Sequence, residues 1–234
     1  MKPILLYTHS LGPNPWKTAI VLEELNLPYE NKFVDPVSVK QEPFTKLNPN
    51  GRVPCIEDHN TGIVLWESGA INEYLVETYD PDGKIWYQQG HDRHYMKQWL
   101  YFQMSGQGPY YGQAAWFTNR HSELLPSARD RYRKEVHRVL GVLNSALAQT
   151  PFLVGDKCTI ADLAFITWDI MIPYICDGES FLETLNDEFP HWAAWHRRLL
   201  ERPAVQRALR KKQESLEQAG PEIYPTALTA NDEK

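Results

Sequence analysis

The sequence predicts two unlike domains in tandem: a small α/β unit followed by an all-helical one. Three observations predict this. Apolar runs of strand length, at residues 4–7, 29–34, 55–58 and 63–66, all fall in the first third of the chain. The turn-rich Asp80-Pro81-Asp82-Gly83 then marks a linker. Beyond it the strand signals stop, and apolar residues recur at helical spacing.

Within the first unit, Ile4-Leu5-Leu6-Tyr7 reads as a buried strand. Asn14-Pro15 is a helix start, since Asn caps well and Pro is favoured at the first helical position. Ile20, Val21, Leu22 and Leu25 supply that helix's apolar stripe, and Leu27-Pro28 ends it. A second strand follows at 29–34, so the chain opens as βαβ with a parallel pair and a right-handed crossover. Residues 43–47 suit a short helix. Cys55-Ile56-Glu57-Asp58 and Ile63-Val64-Leu65-Trp66 flank the turn His59-Asn60-Thr61-Gly62, which predicts a hairpin. A helix runs from about Ser68 to Tyr79.

In the second unit, residues 95–117 are aromatic-rich and helical, with interruptions expected at Gly106, Gly108 and Pro109. Residues 127–147 form a long helix. Thr159-Ile160-Ala161-Asp162 opens another with a capping box, Asp standing for the usual Glu. Thr159, Asp162 and, upstream, Pro54 are assigned structural roles. Helices at about 189–201 and 204–216 are separated by Pro203. The expected division is residues 1–81, residues 90–219, and a flexible polar tail at 220–234.

Composition bounds the function. The chain has 234 residues, 42% hydrophobic and 23% charged, as in globular proteins. A net charge of -6 argues against nucleic acid as a partner. The basic run Arg197, Arg198, Arg202, Arg207, Arg210, Lys211 and Lys212 reads mainly as a solvated helix face. Three cysteines, Cys55, Cys158 and Cys176, show no metal-ligand spacing and suit a reducing compartment. His91 and His94 stand at i, i+3 with no third ligand in view, so no metal is expected. No secretory signal and no apolar run of membrane-spanning length are seen, and a cytoplasmic protein is expected.

The most informative stretches are Asn50-Gly51-Arg52-Val53-Pro54-Cys55-Ile56 and Trp66-Glu67-Ser68-Gly69-Ala70-Ile71. The first bends the chain and starts a strand. The second ends a strand and opens a helix on an acid and a hydroxyl. Main-chain groups at Val53, the Glu67 carboxylate, the Ser68 hydroxyl and free helix N–H groups together suit a small zwitterionic peptide.

Those stretches, with Leu47-Asn48-Pro49 before them and Phe152-Leu153-Val154-Gly155-Asp156-Lys157 and Thr159-Ile160-Ala161-Asp162-Leu163-Ala164 after, resemble the glutathione transferase superfamily over residues 3 to about 212. The resemblance implies a thioredoxin-like N-terminal domain and an all-α C-terminal domain. Gly12-Pro13-Asn14-Pro15-Trp16-Lys17 and Trp99-Leu100-Tyr101-Phe102-Gln103-Met104-Ser105-Gly106-Gln107-Gly108-Pro109 are similar to the fungal class named for the yeast nitrogen-catabolite regulator that forms a prion. This sequence starts at its first strand without an Asn-rich extension, which points to enzymatic members rather than the regulator.

The resemblance implies glutathione as co-substrate, no metal, and a homodimer. Glu67 and Ser68 would hold the γ-glutamyl end. Val53 would pair main chain with the cysteinyl unit if Pro54 is cis as in the family, although X-Pro bonds are mostly trans. Lys40, with Arg52 and Gln41, would take the glycyl carboxylate. Only a thiolate is strongly nucleophilic, and a hydrogen bond donated to sulfur favours it. Asn14 is the family-matched donor and Ser10 the reserve; Asn14 as a helix cap alone stays open. Tyr101, Met104, Tyr110, Tyr111, Trp116 and Phe117 are candidates for the wall around an apolar electrophile, and also for core. Two other functions compete with glutathione conjugation or glutathione-dependent removal. One is a glutathione-binding regulator or ligand carrier with little turnover. The other is a dedicated glutathione-dependent biosynthetic enzyme or isomerase.

Overall fold

The computed structural model describes residues 1–176 and 179–219. The tail expected at 220–234 lies outside them. β1 (Ile4–Thr8) sits inside the sheet because Ile4 and Leu6 are fully buried, whereas β2 (Tyr29–Phe33) carries charged residues and forms an edge. With β3 (Cys55–Asp58) and β4 (Ile63–Trp66) the sheet has four strands in the order β2-β1-β3-β4. β1 and β2 are parallel, with Leu6 opposite Asn31. β1–β3 and β3–β4 are antiparallel, with Ile56 opposite both Leu6 and Leu65.

Two helices of this unit meet the sheet and each other: α1 (Pro13–Glu24) and α3 (Ser68–Tyr79). A short α2 (Phe44–Leu47) leads into the bend before β3. α1 differs from expectation at its start. Pro13, not Pro15, is the first helical residue, Gly12 is the extended N-cap, and Asn14 lies inside the first turn. Asn14 is therefore not the cap, and its side chain is available for other work.

The linker is pinned. The Asp80 carboxylate accepts from the N–H groups of Lys84 at 2.8 Å and Ile85 at 2.9 Å, and the Ile85 carbonyl accepts from the Ile160 N–H at 2.9 Å. The Lys157 ammonium donates to the carbonyls of Gly83 and Trp86.

The helical unit comprises α4 (Gly90–Phe102), α5 (Gly108–Asn119), α6 (Pro126–Leu147), α7 (Ile160–Asp169), α8 (Ile172–Ile175), α9 (Glu179–Glu188), α10 (Pro190–Leu200) and α11 (Pro203–Ala219). The interruption expected at Gly106, Gly108 and Pro109 does not break the path. A π-type turn at Gln103–Gln107 joins α4 to α5, and Pro109, which has no N–H to give, sits just past it. α8, at four residues, is too short to show a helical period, and α9 is a further helix that the sequence reading did not include.

α7 is buried at every position, starts on the expected capping box and forms the centre of this unit. Asp162 accepts from the N–H groups of Leu153 and Thr159, the Thr159 hydroxyl and the Trp195 indole, all at 2.9–3.0 Å. Burial still raises its pKa, against those bonds.

α1 packs against both α7 and α11. Here the basic run departs from its reading as a solvated face. Arg207 and Lys211 each donate to the Glu23 carboxylate at 2.7 Å, and Arg202 bridges both Glu24 oxygens at 2.6 and 3.0 Å. Lys212 is buried. Arg202, Arg207 and Lys211 dock one unit on the other; the acids that meet them lie 178 to 188 residues away, so sequence spacing hid the pairing. All three cysteines are free and buried. Among the described residues no helix is long and apolar enough to cross a membrane.

Candidate functional site

The bend before β3 is built around Asn48, which is buried. Its amide accepts from the Asn50 N–H at 2.9 Å and donates to the Arg52 carbonyl at 2.6 Å. Gly51 takes φ +59 with its α-carbon tight against the Val39 carbonyl, a conformation and an approach that suit glycine. The bend delivers Val53 to the cleft ahead of a cis Val53–Pro54 peptide. Among the described residues Val53 makes no main-chain hydrogen bond, so its N–H and C=O are open to an extended ligand.

Glu67 precedes α3 at φ +74, which costs a non-glycine residue about 1–3 kcal/mol and is typical of sites where geometry matters more than ease. Ser68 opens the helix beside it. Among the described residues its hydroxyl donates only to the weak sulfur acceptor of Met104, at 3.6 Å. Val53, Glu67 and Ser68 line one cavity of about 670 Å³ with Asn14, Lys17, Asn48 and Arg52. A second, of about 620 Å³, opens beside it and is walled by Trp116, Trp168, Met171 and Tyr174. Both volumes suit small-molecule sites. Asn14, Arg52, Val53, Trp116, Arg120 and Trp168 border both.

At that shared border, the buried Trp168 indole N–H donates to Asn14 Oδ1 at 3.0 Å. An indole can only donate, so the atom facing it must be the amide oxygen. Asn14 Nδ2 is thereby turned away from Trp168, and no hydrogen bond to it occurs among the described residues. Tyr111 braces the Trp168 ring edge-on at 6.4 Å.

Beneath Asn14 runs a buried polar chain. Lys17 Nζ donates to Gln103 at 2.7 Å, Gln103 to Gln107 at 2.9 Å, and Gln107 to Asp169 at 2.7 Å; the Trp192 indole closes it at 3.1 Å. Burial lowers Lys17 to about 7, opposed by the nearby Glu67 charge, and raises Asp169 to about 8, opposed by its bonds from Trp192 and Gln107. The π-type turn aims both glutamines inward and holds the end of α7, where Trp168 sits.

Several expected residues lie elsewhere. Ser10 borders a different cavity with Phe33 and Gln218, and its hydroxyl donates to the Ser215 carbonyl at 3.4 Å. It is therefore corrected to a contact between the two units. The Tyr7 hydroxyl donates to Glu57. Of the proposed aromatic wall, Met104 and Trp116 line the cleft, together with Gly108 and Gly112 at the same four-residue spacing. Tyr111 is fully buried, Tyr110 and Phe117 pack on Tyr132, and Tyr101 is exposed outside the cleft. These three tyrosines are corrected to bracing and surface roles, because a helix turns most of its aromatics away from any one wall. Lys40 does border the second cavity, its ammonium on the Asn50 carbonyl at 3.3 Å. Sequence reasoning missed Lys17, Asn48, Arg120 and Trp168. Gln103 and Gln107, two amides four apart in an apolar helix, were the legible sign of a buried polar chain.

Family models for the glutathione S-transferase N-terminal domain, over residues 2–77, and C-terminal domain, over residues 109–203, match this chain. The chain belongs to the glutathione S-transferase family. The glutathione S-transferase-like protein tpcF of Aspergillus fumigatus is 45% identical over 218 residues, 89% of this chain and 96% of that one. The glutathione transferase URE2P6 of Phanerochaete chrysosporium, solved with oxidised glutathione, superposes with a TM-score of 0.87 at 47% identity, covering 92% of this chain and 98% of that one. Ure2p5 of the same fungus, crystallised with 1-(S-glutathionyl)-2,4-dinitrobenzene, gives 0.84 at 41% identity, covering 94% and 99%. The superfamily fold expected from the sequence, with its likeness to Ure2-type transferases, is the fold of this chain.

Proposed function

We propose that this family member is an enzyme that binds glutathione across the border of the two cavities and ionises its thiol for attack on an electrophile with a largely apolar body. The observation that carries this is the Asn14 amide, held by Trp168 through its oxygen and left with a free NH2 in the cleft. A fixed donor stabilises a sulfur that is charged more than one that is not, so it lowers the thiol pKa. Glu67 takes the γ-glutamyl ammonium, and Ser68 with the α3 N–H groups takes its carboxylate. Val53 pairs main chain with the cysteinyl unit, and Arg52 and Lys40 hold the glycyl carboxylate. Met104 and Trp116 belong to the electrophile's wall. Solved relatives that hold oxidised glutathione or a glutathionyl-dinitrobenzene conjugate support the ligand class. Removal of the thiol proton to water, then carbon–sulfur bond formation with loss of the leaving group, completes the turn. Residues 1–81 supply most of the glutathione contacts and 90–219 the electrophile wall. A homodimeric, cytoplasmic protein fits this reading and its buried free cysteines.

The test is a pH titration of thiolate absorbance for glutathione bound to wild type and to Asn14→Ala. Ionisation well below the free thiol pKa of about 8.5, reversed in the variant, is expected. An unshifted pKa with intact binding would favour a regulator or carrier instead.

A further inference from the structure

We infer that the electrophile this site accepts is aromatic and carries an anionic group, a carboxylate or an ionised phenol, which Arg120 receives. This rests on the reading of the cleft as a glutathione-dependent site. The chain is acidic overall, with a net charge of -6. Yet the cavity walled by Trp116, Trp168, Met171 and Tyr174 is lined by Lys40, Arg52, Arg120 and His9 and, among the described residues, by no acid. Two acids are next in sequence to lining residues: Asp35 spends its carboxylate on the N–H groups of Val37 and Ser38 and on the Ser38 hydroxyl, and the buried Asp169 accepts from Gln107 and the Trp192 indole.

Arg52 and Lys40 border the bend and serve the glycyl end. Arg120 comes from the helical unit, at the end of α5, one turn past Trp116, and lines the cavity together with Trp116 and Trp168. Its guanidinium has no hydrogen-bond or ion-pair partner among the described residues. Its main chain is nonetheless fixed: the Arg120 N–H bonds the Trp116 carbonyl at 2.9 Å, Arg129 holds the carbonyls of Phe117 and Thr118, and Asn119 donates to the Tyr174 carbonyl at 2.8 Å. The positive charge also bears on His9, whose pKa is lowered by burial first and by Arg120 next, so a cation is disfavoured there. A planar fork of donors beside two indole rings matches a flat ring with an anionic substituent.

A matched pair of electrophiles tests this: 4-chloro-3-nitrobenzoate and its neutral carboxamide. In both, the thiolate forms a carbon–sulfur bond at the chlorinated carbon and chloride leaves with the bond's electrons. Binding is measured separately, by tryptophan quenching with the unreactive 3-nitrobenzoate and 3-nitrobenzamide in the presence of glutathione. Wild type is expected to favour the carboxylate over the amide, and Arg120→Gln to cut that ratio about tenfold, the scale of one charge-assisted contact. Arg120→Lys should keep most of it. The wild-type ratio should also fall as salt rises from about 0.02 to about 0.5 M. An unchanged ratio in Arg120→Gln overturns the inference, as does an equal loss for both ligands together with weaker glutathione binding, which would move Arg120 to the glycyl carboxylate. Charge-selective binding without turnover or a thiolate shift would sink the enzymatic reading while leaving the anion site standing.

Discussion

On the proposed reading, replacing Trp168 by Phe should raise the pKa of bound glutathione without touching Asn14, the proposed donor to sulfur. The indole N–H holds Asn14 Oδ1 at 3.0 Å, and this is the bond among the described residues that tells the amide which end to present. Phe keeps a ring against Tyr111 but has no donor. A net hydrogen bond is worth about 0.5–1.5 kcal/mol. With it gone the amide can flip; if half the molecules then offer oxygen to the sulfur, the competent fraction alone costs about 0.4 kcal/mol. At about 1.36 kcal/mol per pKa unit, the rise is between about 0.3 and 1 unit. Asn14→Ala deletes the charge-assisted bond itself, about 1.5–3 kcal/mol, and should raise the pKa by about 1–2 units. The assay is the thiolate titration, run as a double-mutant cycle. In the Asn14→Ala background, Trp168→Phe should add nothing. A shift of full size there, or no shift in the single variant, would refute the positioning role.

Three further outcomes follow from the same geometry. Asp162→Ala leaves two main-chain N–H groups, a hydroxyl and an indole without their acceptor, and should cost at least about 3 kcal/mol in a urea midpoint analysis, whereas Asp162→Asn should recover part of that. Gly51→Ala places a methyl 2.7 Å from the Val39 carbonyl at φ +59; about 1–2 kcal/mol of stability and a measurable part of the glutathione affinity by calorimetry should be lost. His196, stacked on Trp192 with Nε2 sealed and unpartnered, is lowered by burial from 6.5 to about 4. The unfolded chain therefore takes the proton first, so stability falls as pH drops from 6.5 towards 4, by at most about 3 kcal/mol. His196→Phe should flatten that part of a melting-temperature profile; an unchanged slope would assign it to other groups.

The part of the cleft proposed to hold glutathione was legible as a structure because its pieces are local. The bend at Asn50 to Pro54 and the Glu67-Ser68 helix start are each set by a few consecutive residues whose turn and capping chemistry has few solutions. Asn14 was named from the resemblance as the donor to sulfur, with a cap-only role left open; Pro13 at the first helical position removes the cap, and the donor role stands as the proposal. The electrophile half was poorly legible. Tyr101, Tyr110 and Tyr111 look equivalent to Met104 and Trp116 in the sequence, and only the phase of α4, the π-type turn and α5 separates them. Ser10 stands four residues from Asn14 yet faces Ser215.

The order of strands and helices in the first unit, the hairpin, the capping box and the family likeness were determined by the sequence alone, since each depends on contacts within a few residues or on motifs in fixed order. Tertiary structure decided what α7 and α11 bring to the first unit. Trp168 reaches Asn14 across 154 positions, and Glu23 and Glu24 meet Arg202, Arg207 and Lys211 across about as many or more. No periodicity records such a meeting. It exists because buried apolar faces force the two units together, and the polar groups caught at the seam must then find partners in whatever register that packing allows.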